Sequence, residues 1–293
     1  MRTGKAMGKR TDSARTDGLR PSRVVVLIDA SPDALYALEA AVELAARHEA
    51  PLLAVSVEEP ERARSAGFPF AHEVGALSGA IRRIDETLLN RRRESGPLSI
   101  RRTIETAADQ AGVAWELVVV HGHLVEEVLA LSGPGDLLML GRVGWSARLG
   151  RRLGGTAMKL ARQSVGTVHI CSADPVRQRG RIAVLIEDGD SARAVLTAAA
   201  GRARMSGREL VALFAPQVRE TAAEILSRLF GKEDPRCCLR ALQTTGTGEL
   251  LRVLAEERAV ELVVGRGGAW LNSPAADRLL TYWRMPVLVT PAD

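Results

Sequence analysis

The sequence predicts an α/β fold built from two tandem, doubly wound units, each a parallel five-stranded sheet with flanking helices. Three observations carry that prediction. Short apolar runs alternate with Ala-rich helical stretches, the pattern of βαβ units. The pattern occurs twice, because VVVLIDASPDALYALEAAVELAARHEAPLLAVSV (24–57) aligns without a gap on IAVLIEDGDSARAVLTAAAGRARMSGRELVALFA (182–215). Aromatics make up only 3% of the 293 residues. The interior must therefore be Ala, Val, Leu and Ile, which suits buried parallel strands under Ala-rich helices.

Taken in order, the first copy reads as strand 24–29, helix 32–48 and strand 51–57. Ser31 and Pro32 stand where a helix N-cap and its first residue belong. A helical region over 72–111, interrupted by ESGPLS (94–99), is expected next. Then come strand 115–121, helix 123–132, strand 136–140, a glycine-rich loop, helix 155–163 and strand 167–171. Later stretches of the second copy also match the first: LGRVG (140–144) against VGRGG (264–268), and TVHIC (167–171) against PVLVT (286–290). The second copy is shorter, with its middle helix reduced to about 219–230. The expected division is a basic tail (1–22), a first domain (23–174) and a second domain (181–293), joined through SADPVRQRGR (172–181).

Composition narrows the function classes. With 46% hydrophobic and 26% charged residues the chain is of the soluble globular type. No apolar run approaches the roughly 20 residues that span a bilayer. The N-terminal stretch has no apolar signal segment, so the cytoplasm is the expected compartment. Of the net charge of +5, much sits in the first 23 residues, where seven Arg or Lys face only Asp12 and Asp17. Such a tail reads as disordered, and without aromatic interleaving or a helix-turn-helix signal it argues against nucleic-acid recognition. Cys171, Cys237 and Cys238 fit no zinc or redox spacing.

The chemistry concentrates in LGRVGWSARLGRRLGGTAMKL (140–160). Open α/β sheets bind ligands at the carboxyl ends of their strands. Gly141 and Gly144 follow strand 136–140 and let main-chain amides approach a ligand. Gly154, Gly155 and Thr156 open the last helix of the copy, where free amides and the helix dipole attract an anion. Arg148, Arg151 and Arg152 lie between them. Asp29 ends the first strand, as a ligand contact or as a cap of the following helix. His121 and His123 are two apart, but no third ligand accompanies them, so a metal site is not expected. No nucleophile stands beside a base in these motifs, although weak ATP hydrolysis stays open.

The spacing Gly141-x2-Gly144-x9-Gly154 resembles the G-x2-G-x9-G motif, followed by Ser or Thr, of ATP-binding members of the universal stress protein family. An extra glycine, Gly155, precedes Thr156. VVVLIDASPDALYALEAAVELA resembles that family's opening strand and helix, VVVHGHLVEEVLALS (118–132) its third strand and helix, and TVHI its closing strand. The resemblance covers both copies, about 23–174 and 181–291. It implies a Rossmann-like fold of the adenine nucleotide alpha hydrolase-like kind, with ATP as ligand, with or without Mg2+. It further implies that Asp29, with Ala30 beside it, contacts the adenosine, that Val57 lines the adenine pocket and that Gly122 lets the backbone pass the base. Gly141, Arg142, Gly144, Gly154, Gly155 and Thr156 would hold ribose and phosphates. In the second copy Glu187 replaces Asp29, and AWLNSPAADRLL (269–280) has no glycine. That copy is therefore expected to be a degenerate partner in an intramolecular pseudo-dimer. The resemblance leaves room for a homodimer and for an unnamed protein partner. The expected role is a stress-response regulatory module, the alternative a scaffold with a vestigial glycine loop.

Overall fold

The computed structural model describes residues 20–29, 31–58, 72–74, 81–83, 86–121, 123–142, 155–173, 180–215, 218–230 and 236–292. The first half opens with β1 (Arg23–Ile28), whose RVVVLI run is largely buried. Helix α1 (Pro32–His48) starts where the Ser31 hydroxyl accepts the Ala34 N–H at 3.2 Å, with Pro32 in the first turn. It stops at Glu49, in the left-handed region with φ 53°. β2 (Leu52–Glu58), β3 (His72–Val74), β4 (Ile81–Arg83), α2 (Glu86–Ala111) and β5 (Trp115–His121) follow. α3 (Leu124–Leu131), β6 (Asp136–Gly141), α4 (Gly155–Gln163) and β7 (Thr167–Cys171) complete the half. The second half runs β8 (Arg181–Ile186), α5 (Gly189–Ser206), β9 (Leu210–Phe214), α6 (Arg219–Phe230), β10 (Cys237–Ala241), α7 (Thr247–Glu256) and β11 (Ala259–Gly265). A 3-10 turn (Trp270–Asn272), α8 (Pro274–Tyr282) and β12 (Val287–Thr290) end it.

The strands form one ten-stranded sheet in the order β10-β9-β8-β11-β12-β7-β6-β1-β2-β5. Within each half all pairings are parallel, and the halves meet where β7 and β12 pair antiparallel. Both faces are covered, and the apolar cluster on each face draws on both halves.

The sequence reading of 72–111 needs correcting in two places. Residues 72–74 and 81–83 form a small antiparallel hairpin rather than helix. Its strands carry Val74 and Ile81, and two glycines in the intervening GALSGA supply the turn signal that the helix reading passed over. The helix that follows also runs unbroken through ESGPLS. Pro97 removes one hydrogen bond from the ladder, a local loss that a helix of 26 residues carries.

The seam has internal two-fold character. His169 lies opposite Leu288, its own counterpart in the TVHIC/PVLVT alignment. The arginine after each half's fourth sequential sheet strand reaches across. Arg142 Nη2 donates to the Leu280 carbonyl of α8, and Arg266 Nε donates to the Ala161 carbonyl of α4 at 2.8 Å. Ala161 and Leu280 are each the seventh residue of equivalent helices, so the two contacts mirror each other. Burial pushes the Arg266 guanidinium down to about 10.

Candidate functional site

In the first half the carboxyl ends of β1 and β6 converge with the N-terminus of α1. Asp29 follows β1, and its Oδ1 accepts the Ser31 N–H at 2.9 Å, shaping the turn into the helix. One turn further on, Asp33 Oδ1 accepts the Ala173 N–H at 2.9 Å just past β7. Gly141 lies beneath this turn. A Cβ there would meet Ala34 N at 2.8 Å and the Asp33 carbonyl carbon at 2.9 Å. The close approach of α1 thus requires glycine whatever the site binds.

The other predicted residues divide into three groups. Gly155 and Thr156 open α4; Gly155 is exposed, and a Cβ on it would have nothing within 4 Å. Val57 lies on β2 in register with Val120 of β5. Ala30, Gly122, Gly144 and Gly154 lie outside the described residues, as do Arg148, Arg151 and Arg152. Arg142 stands apart from the ligand reading, because its side chain is buried in the seam and donates to Leu280. Its backbone N–H is taken as well, donating to the Cys171 carbonyl at 2.9 Å.

The equivalent crevice in the second half is filled by its own chain. Glu187 Oε1 accepts the Trp270 N–H at 2.7 Å. Its Oε2 lies so near Gly268 that a Cβ there would sit 1.9 Å away. Trp270 and Leu271 are both buried in the 3-10 turn that occupies this place. Burial pushes the Glu187 carboxyl up, and the hydrogen bond from Trp270 opposes that shift by favouring the charged form. α8 is capped by Ser273, whose Oγ accepts the Ala276 N–H at 3.3 Å, and Pro274 has no N–H to donate. A carboxylate of the protein thus engages a main-chain amide in the turn that leads into α8, the counterpart of the helix that Gly155 and Thr156 open.

A profile of the Universal stress protein family matches residues 21–172, just over half of the chain. The chain belongs to the universal stress protein family. No curated protein matches it in sequence. Among solved structures, a universal stress protein from Archaeoglobus fulgidus DSM 4304 is 17% identical, over 92% of this chain and 96% of that one, with a TM-score of 0.61. A putative universal stress protein from Pseudomonas aeruginosa UCBPP-PA14 is 15% identical, over 94% of each chain, with a TM-score of 0.59. At these identities the likeness concerns the fold, and it extends over both halves. A universal stress protein solved in complex with cAMP is 25% identical over 51% of this chain, but its TM-score of 0.34 is too low to bring that ligand across.

Sequence reasoning missed the polar chain at the seam of this universal stress protein. Arg202 Nε lies 2.8 Å from Oε1 and 2.9 Å from Oε2 of Glu261, and His169 Nε2 is 3.6 Å from Oε1. Cys171 Sγ lies 3.8 Å from His169 Nδ1. Burial pushes His169 down to about 4 and Cys171 up to about 12. A thiol so held is not a nucleophile, and the cluster serves structure. Its only sequence signal is an asymmetry: the aligned counterparts of Arg202, Glu261 and His169 are Leu44, Leu137 and Leu288. Among the described residues no three metal-ligating side chains converge, and no helix is long and apolar enough to cross a membrane.

Proposed function

We propose that this universal stress protein is a cytoplasmic regulatory module of the stress response, whose first half (23–174) binds ATP or a similar adenine nucleotide. The second half (181–293) pairs with it and binds none. The observation that carries this reading is the contrast between the two crevices. Glu187, Trp270 and Leu271 fill the second, whereas in the first Asp29 is one methylene shorter and α4 starts on the exposed Gly155. Asp29 and Ala30 would contact the adenosine, Val57 would line the base pocket and Gly122 would let the chain pass it. Gly144, Gly154, Gly155 and Thr156 would present amides and a hydroxyl to the ribose and phosphates, with Mg2+ accompanying the phosphates. Gly141 would set where β6 ends beneath α1. Occupancy would favour one arrangement of the segment after β6 and so alter the surface offered to a protein partner.

Isothermal titration calorimetry with ATP tests the reading. The full chain gives binding heat, and Asp29→Ala combined with Gly144→Val abolishes it. Silence from the wild type, or unchanged affinity in the double variant, refutes the proposal. A second reading, a scaffold with a vestigial loop, draws on Arg142, which the seam uses instead of a ligand. Absence of nucleotide from gently purified protein, together with no heat, would favour it.

A further inference from the structure

Both described ends of the glycine-rich segment are fastened to the other half of the chain. At the entry, Arg142 leaves β6 and donates to the Leu280 carbonyl in α8. At the exit, α4 is gripped along its last turns, where Ala161 accepts from Arg266 Nε at 2.8 Å. At the next position Arg162 Nε donates to the Leu271 carbonyl at 3.0 Å, and its Nη2 pairs with Asp277 at 2.8 Å. Leu271 and Asp277 belong to the turn and helix that lie beside the second half's filled crevice. The elements associated with closing one site therefore hold the helix that opens the other.

We infer that Arg162 is a positioning residue for the nucleotide site of the first half, setting where the N-terminus of α4 sits relative to the end of β6. The inference rests on the nucleotide reading above. A helix transmits such placement because it is stiff, and Ala161 is only about 9 Å along the axis from Gly155 at 1.5 Å per residue. Amides that must lie about 3 Å from phosphate oxygens lose contact when their helix shifts by about 1 Å. Linkage makes the effect reciprocal: nucleotide bound at α4 stabilises the contacts that α8 and the 270–272 turn make with it.

Calorimetry with ATP on the full chain, alongside thermal unfolding with and without ATP, tests this. Arg162→Ala is expected to weaken ATP binding about fivefold or more, and Asp277→Asn by less, because the Leu271 contact survives. The rise in Tm caused by ATP should shrink in the same order. A purely structural role would lower Tm equally with and without ATP and leave Kd unchanged. If the wild type binds ATP and both variants bind it equally well, the inference is overturned while the nucleotide reading stands. No heat from the wild type overturns both. Should Arg162→Ala fail to fold, Asp277→Asn decides, since that side chain is 55% exposed and its loss leaves the helix intact.

Discussion

Replacing Gly141 by alanine would drive a methyl group into the backbone of the first turn of α1, 2.8 Å from Ala34 N. Backbone cannot swing aside as the end of a side chain can, so the expected cost is about 1–3 kcal/mol. Gly155→Ala meets nothing and improves helix propensity, so it should leave stability unchanged or raise it by up to about 1 kcal/mol. Urea unfolding of the nucleotide-free chain separates the two; equal losses would contradict the packing account. The same residues show where sequence reading runs short. The motif identifies Gly141 as part of a ligand loop, yet the contact that demands glycine comes from α1, more than a hundred residues earlier in the chain. The change from Asp29 to Glu187 was visible as one added methylene. What that methylene reaches, the Trp270 N–H, became visible only in the fold.

At the level of elements, strands with long apolar runs and helices with clear caps were legible, because local chemistry decides them. β1, α1, β2, β5, β6, α4 and β7 lie within one or two residues of their expected bounds. The β3–β4 hairpin and β10 were not legible. Each hairpin strand has three residues, too few for periodicity, and β10 reads CCLRA with its last three residues exposed at the sheet's edge. The β7–β12 seam also holds a titratable group that the alignment alone did not explain. His169 is buried beside Glu261, Arg202 and Cys171 and held neutral down to about 4. The unfolded chain takes up this proton near pH 6.5, the folded chain not until about 4. Stability is therefore whole above 6.5 and falls as pH drops towards 4. Between pH 7 and pH 5 the wild type should lose about 2 kcal/mol more than His169→Leu, which places at this position the residue found at its counterpart, Leu288. Parallel losses in urea unfolding at the two pH values would contradict this assignment.

For the molecule as a whole, pairing β7 with β12 removes two exposed sheet edges, and β5 and β10 form the margins of the ten-stranded sheet. The reciprocal arginines and the shared apolar clusters give this one chain the interior symmetry of a two-fold dimer. Glu187 and Trp270 occupy the crevice of the second half, and the proposed function requires the first to differ. A site filled by Glu187 and Trp270 has no room for a nucleotide, whereas the proposal requires the first half to receive one at Gly155 and Thr156. The most direct measurement is native mass spectrometry of the full chain titrated with ATP. The account predicts a mass increase that saturates at one nucleotide per chain; saturation at two, or no adduct at all, would contradict it.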